Sequence, residues 1–299
     1  MTEIQTLHQR FCDYSRTFKG NTPRSIDWFE EIFDYFLRFS QIETPAQITQ
    51  EKVEAWLSEG KSQKGWSAKT IRNRIQALNS FTKWLEKREY IPKNPLANID
   101  RPPLPKKIPK HLPLEKALKL IDWAKSYPFS YRFERKRTPA VIATFIFTGI
   151  RLQELLNLKM SDVDIENKVL SIQCGKGQKD RNIPLQPTLI RILEEYLKDR
   201  KRLDKLCPYF FTSLRGNDQM KPDVIKEVTQ KLRKASGIYF YPHLLRHTFA
   251  VLMLEGGCNI YALSKMMGHS DIKTTTIYLT ATTAHLQVEM SKHPLSGLC

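Results

Sequence analysis

Six side chains of this 299-residue sequence have types and spacings that could do chemistry. Thr148-Gly149-Ile150-Arg151 sets an arginine at a helix start directly after a tight turn, with Glu154 three residues on and on the same helical face. Gly175-Lys176-Gly177 puts a lysine between glycines. Residues 241–247, Tyr-Pro-His-Leu-Leu-Arg-His, open a helix at a proline, so that His243 and Arg246 share one face. Gly268-His269 ends a later helix, and Tyr278 follows nine residues further. Guanidinium, ammonium and imidazole groups are equipment for gripping an anion and moving a proton. Taken singly, each has a plainer reading: a surface Arg–Glu pair, a solvated turn lysine, a packed tyrosine. Two other chemistries fail on spacing. His-Leu-Leu-Arg-His has Leu where a zinc protease needs its Glu, and Gly-Lys-Gly lacks the spacing of a nucleotide-binding P-loop. His247 is read as structural, hydrogen-bonded near the helix start, with no catalytic role.

The elements that must position these groups follow from periodicity. Apolar residues recur at helical spacing in Ile26, Phe29, Phe33, Phe36 and Leu37, in Val53, Trp56 and Leu57, and in Ile71, Ile75, Leu78, Phe81, Trp84 and Leu85, which predicts a small helical bundle. Thr49 and Ser67 are placed to cap the second and third of these helices. Five prolines and three lysines in residues 100–113 predict an extended connection. Beyond it, residues 114–125, 139–147 and 152–158 read as helices. Residues 169–173 and 182–185 read as strands joined by a hairpin, and helices follow at 187–202, 222–236, 243–255 and 260–267. The expected fold class is mainly α with a small β-sheet: a first domain over residues 1–104, a linker over 105–113, and a second domain over 114–299 with a C-terminal tail.

Lys and Arg total 48 against 31 Asp and Glu, a formal charge of +17. Residues 1–104 hold 16 against 13, net +3, which leaves 32 against 18, net +14, for the rest. A polyanionic partner is expected, and the second domain should carry most of the field. The sequence has no apolar run of the ~18 residues that a membrane span requires, and residues 1–11 lack a basic segment leading into an apolar one. Five widely spaced cysteines without a CxxC pair read as reduced thiols rather than a zinc site. A cytoplasmic, nucleoid-associated protein without membrane contact is expected.

In combination the motifs are specific. Arg-x-x-Glu, Gly-Lys-Gly, His-x-x-Arg, Gly-His and a tyrosine nine residues on, in that order, resemble the catalytic domain of tyrosine recombinases, the phage integrase family that includes the Xer-type enzymes. The resemblance extends to a SAM-like helical core-binding domain over residues 1–104. It implies site-specific DNA recombination through a covalent 3′-phosphotyrosine and Holliday junction exchange, with no metal, no other cofactor and no ATP. It implies Arg151 and Arg246 as phosphate clamps, His243 as general base, Lys176 as general acid, His269 as a hydrogen-bond donor to the phosphate, Tyr278 as nucleophile and Glu154 in support. Leu279 departs from the polar residue that many members carry there. DNA contacts are expected from Lys69, Arg72, Asn73, Gln76 and Lys83 in the first domain and from Lys179 and Arg181 beside the hairpin. The expected partner is double-stranded DNA bearing recombination sites, met by a monomer in free solution that forms a homotetramer on synapsed DNA. A type IB topoisomerase or a catalytically silent accessory factor are the alternative readings.

Overall fold

A computed structural model describes residues 1–105, 109–173, 180–279 and 290. The chain divides into two compact units, Met1–Lys106 and Lys107–Cys299. The first consists of four helices, α1 (Glu3–Thr17), α2 (Pro23–Ser40), α3 (Gln50–Lys64) and α4 (Ala68–Lys87). Local chemistry sets their starts: the hydroxyls of Thr22, Thr49 and Ser67 each accept a bond from the backbone amide three residues on. Their apolar stripes meet in a core around Phe36, Trp56, Ile75, Phe81 and Leu85. α1 has no counterpart in the expected helices, although Ile4, Leu7 and Phe11 carry its apolar stripe into that core. His8 of α1 lies flat on Phe33 at 3.9 Å between ring centroids, and burial drives its pKa down to about 3, so it packs as a neutral aromatic ring.

The second unit carries α5 (Leu114–Ser126), α6 (Arg132–Thr148), α7 (Leu152–Asn157), α8 (Pro187–Arg202), α9 (Pro222–Ser236), α10 (Pro242–Glu255), α11 (Ile260–Met267) and the short α12 (Lys273–Thr276). An antiparallel sheet of β1 (Val163–Asp164), β2 (Val169–Ile172) and β3 (Arg181–Pro184) stands between α7 and α8 in the chain. α6 starts seven residues ahead of the expected position, with Pro139 inside it rather than at its head. Its first turns are held from outside, where Phe133 packs against Tyr196 at 5.6 Å and Arg137 donates to the Thr212 carbonyl at 2.7 Å. Tertiary contacts there outweigh the proline's local preference. α6 and α10, both flanked by core residues, run to the site from opposite ends of the sequence motifs: α6 ends at Gly149, and α10 begins at Pro242.

Gly149 ends α6 in the left-handed region at φ +60°, and a Cβ there would come 2.3 Å from Phe249 Cδ1 on α10. Glycine therefore lets α6 and α10 approach at the point where the Arg151 turn begins. No helix among the described residues is long and apolar enough to cross a membrane.

The packing of α6, α8 and the strand-like segment after α8 centres on Tyr196, whose buried hydroxyl donates to the Phe210 carbonyl at 2.8 Å and accepts from the Thr212 amide at 3.2 Å. Tyr196→Phe strands both backbone groups in the core. It should cost about 1–3 kcal/mol, read as a lower urea midpoint at unchanged slope.

Candidate active site

Arg151 is the N-cap of α7, and the Glu154 carboxylate closes the first turn by accepting from the Arg151 backbone amide at 2.8 Å and from its guanidinium at 2.7 Å. The same carboxylate takes both arms of Arg181, at 3.0 and 2.6 Å. Burial alone would push the Glu154 carboxyl up, but the bonds from Arg181 and Arg151 prevail and hold it at about 2.

Arg181 corrects an expectation. β3 starts at Arg181, one residue before the expected strand, and pairs it with Ile172 across the ladder. Side chains alternate along a strand, so Arg181 falls on the same buried face as Ile183. Its side chain is closed in against Glu154 and the Met266 carbonyl, which it reaches at 2.8 Å, so it is an internal brace in place of a DNA backbone contact.

Three arginines converge on the end of α11. Arg181 donates to the Met266 carbonyl, Arg246 to the Met267 carbonyl at 2.6 Å, and Arg151 to the Gly268 carbonyl at 3.2 Å. The last carbonyls of a helix have no intrahelical donor and sit at its negative end, which suits cations. Gly268 makes the approach possible: at φ +64° it turns the chain, and a Cβ on it would lie 2.8 Å from Arg181 Nη1. Arg246, 2% exposed, spends its other arm on the Gly149 carbonyl at 2.6 Å. Burial and then Arg151 lower its pKa to about 10.

His243 is exposed at the head of α10, with its pKa lowered by burial of the ring, then by Arg246 and Arg151. His269 stands next to the arginine cluster. Its Nε2 lies 3.1 Å from Arg246 Nη2 and its Nδ1 2.8 Å from Thr275 Oγ1. A guanidinium can only donate, so Nε2 is the acceptor, and the ring proton sits on Nδ1 and goes to Thr275. The ring is neutral, in keeping with a pKa lowered to about 4 by burial, then by Arg246, Arg151 and Arg181. In this state His269 has no proton on Nε2 to offer a phosphate.

Tyr278 is 2% exposed, among Phe249, Val251, Leu254, Leu263 and Met267. Its hydroxyl lies 2.8 Å from His247 Nδ1, and not from the expected base His243. Helical spacing on α10 could have flagged His247, which is one turn past His243 and stacks on it at 5.2 Å. Lys176 and Lys179 lie outside the described residues. In the first unit Lys69, Asn73, Gln76 and Lys83 fall along one stripe of α4, and Lys69, Gln76 and Lys83 are exposed. Arg72 is half-buried and donates to the Pro102 carbonyl at 3.2 Å. Among the described residues no group of three or more His, Cys, Asp or Glu is arranged to hold a metal ion.

Residues 111–285 match the phage integrase family, and residues 7–91 match its N-terminal SAM-like domain. The chain belongs to the phage integrase family. Tyrosine recombinase XerA of Pyrococcus horikoshii is 34% identical over 77% of this chain and 76% of its own. Tyrosine recombinase XerC of Bacillus pumilus is 29% identical over 98% of both chains. The solved structure of a XerH site-specific recombinase bound to its palindromic difH substrate superposes with a TM-score of 0.76 over 94% of this chain and 82% of that one; at 23% identity this is a likeness of fold. As a tyrosine recombinase, the chain is an enzyme of site-specific DNA recombination, mainly helical with one small sheet in its catalytic unit.

The bridge from Glu154 to Arg181 makes a sharp pH statement for this recombinase. A carboxylate held at about 2 against an ordinary 4.5 adds stability that is complete above 4.5 and is lost as the pH falls through about 2. Glu154→Gln leaves the Arg181 charge buried without its partner and should cost about 3–5 kcal/mol at neutral pH. Urea titrations of parent and variant should converge as the pH falls through that window.

Proposed function

We propose that this recombinase cuts one DNA strand with Tyr278 and holds the scissile phosphate between Arg151 and Arg246. The observation that carries the reading is the convergence of Arg151, Arg246 and His269 on the end of α11 through hydrogen bonds, with His243 and Tyr278 both within the electrostatic reach of Arg246 and Arg151. A phosphodiester repels nucleophiles, and its pentacoordinate transition state gathers further charge on the non-bridging oxygens. Two fixed guanidiniums meet that charge without having to reorganise. The Tyr278 oxygen bonds to phosphorus as its proton passes to a histidine of α10, the bond from phosphorus to the 5′ oxygen breaks, and the departing oxygen takes a proton from Lys176. The 3′-phosphotyrosine keeps the energy of the broken bond, so a 5′ hydroxyl from a partner strand reseals it without ATP. His243 faces the phosphate from the exposed head of α10. His269 donates to the phosphate once its ring turns from Arg246 Nη2 and Nε2 takes up a proton.

DNA affinity is shared between the first unit, through Lys69, Arg72, Asn73, Gln76 and Lys83, and the second, through Lys179 and the basic excess around it. The domain limits of the reading are residues 1–104, 105–113 and 114–299. The protein is a monomer in free solution, a homotetramer on paired sites, and works in the cytoplasm on the nucleoid.

A nicked suicide duplex carrying a site recovered by selection from a random-sequence library should give a denaturation-resistant adduct with the parent and none with Tyr278→Phe; an adduct with Tyr278→Phe would sink the assignment. Arg151→Ala should form that adduct about 10²–10³-fold more slowly while binding the duplex nearly as well. Equal losses in binding and cleavage would make Arg151 an ordinary phosphate contact. Lys176→Ala should regain cleavage on a duplex with sulfur at the 5′ bridging position, because a thiolate leaves without a proton. A general-acid role for Lys176 does not survive failure of that rescue.

A further inference from the structure

His247 stands between His243 and Tyr278. It follows Arg246 on α10, its ring lies nearly parallel to that of His243, tilted by 13°, and its Nδ1 meets the Tyr278 hydroxyl at 2.8 Å. Tyr278 is enclosed, and burial holds its phenol above the ordinary range against the pull of Arg246 and Arg151. A phenol so enclosed has no direct route for its proton to bulk water, so the proton must go to a protein group within hydrogen-bond reach. His247 is at that distance, and it is neutral: burial, then His243 and Arg246, hold it at about 4.

We propose that His247 takes the proton of Tyr278 during strand cleavage and returns it during resealing. This rests on Tyr278 being the nucleophile. In cleavage the Tyr278 oxygen bonds to phosphorus while its proton passes to His247 Nδ1, and the 5′ oxygen leaves with a proton from Lys176. In resealing a 5′ hydroxyl bonds to phosphorus and gives its proton to Lys176, the bond from phosphorus to the tyrosine oxygen breaks, and His247 Nδ1 hands its proton back. The groups that face His247 are His243 and Arg246 on its own helix, with His269 and Tyr278 from the segment after α11. Burial, then His243 and Arg246, disfavours an imidazolium there in the free protein. A phosphodiester anion entering beside Arg246 reverses that balance, so that His247 becomes a competent base when the substrate is present.

A buried phenol would be equally satisfied by a partner that only forms a hydrogen bond, and glutamine can do that. His247→Gln and His247→Ala are therefore compared on the nicked suicide duplex, in single-turnover adduct formation between about pH 5 and pH 9. Both variants should bind the duplex like the parent and form the adduct about 10²–10⁴-fold more slowly. The parent rate should climb through an ionisation that is missing from both variants, and imidazole in the buffer should restore part of the His247→Ala rate. Resealing of a preformed adduct by a 5′-hydroxyl strand should slow likewise. If His247→Gln stays within about threefold of the parent with the same pH profile, or if both variants slow with that profile intact and without rescue by imidazole, the contact only packs the tyrosine and the proposal falls. Loss of the adduct in Tyr278→Phe with full activity in His247→Gln removes this proposal alone; an adduct in Tyr278→Phe removes the reading beneath it.

Discussion

The site depends on the end of one short helix. At the C-terminus of α11 three consecutive carbonyls, of Met266, Met267 and Gly268, each accept from a different arginine, Arg181, Arg246 and Arg151. These arginines come from a strand, from the first half of α10 and from the head of α7, so the α11 terminus is where three parts of the chain are brought to one register. A carbonyl at a helix terminus carries partial negative charge and lacks an intrahelical donor, so it stabilises a cation without neutralising it. Carboxylates in the same places would have cancelled that charge.

The balance of charge follows from that arrangement. Glu154 is the one carboxylate among the described hydrogen-bond partners of these three arginines, and Arg151 and Arg181 share it. Burial, then Arg151, lowers the pKa of Arg246, and burial, then the neighbouring guanidiniums, lowers those of His243 and His269. The three guanidiniums are held in place by backbone dipoles and packing.

Much of this was legible in the sequence. Arg151, Glu154, His243, Arg246, His269 and Tyr278 pointed to one site through the resemblance of their ordered motifs to tyrosine recombinases, and Gly149, Pro242 and Gly268 mark the helix ends and turns beside them. Three features were not legible. Arg181 reads as a surface cation next to a hairpin until the β2–β3 register turns it inward, and register is a property of the pairing rather than of the residue. α6 begins before its proline because Tyr196 and Thr212, distant in sequence, hold its first turns. His247 looks redundant one turn after His243, and only the return of the chain after α11 sets a tyrosine hydroxyl against it.

His269 connects Arg246 with the segment that carries Tyr278. Arg246 Nη2 gives a hydrogen bond to His269 Nε2, which fixes the tautomer, and the proton left on Nδ1 goes to Thr275, one turn ahead of Tyr278. An anion that accepts from Arg246 Nη2 competes for the same donor, and the imidazole then loses the contact that defines its proton position. The second tie on the same segment is the bond between His247 and Tyr278, and it lies one residue along α10 from Arg246. Both restraints on the tyrosine segment therefore end beside a single guanidinium. Arg246 and the placement of Tyr278 are thereby tied through contacts one hydrogen bond long.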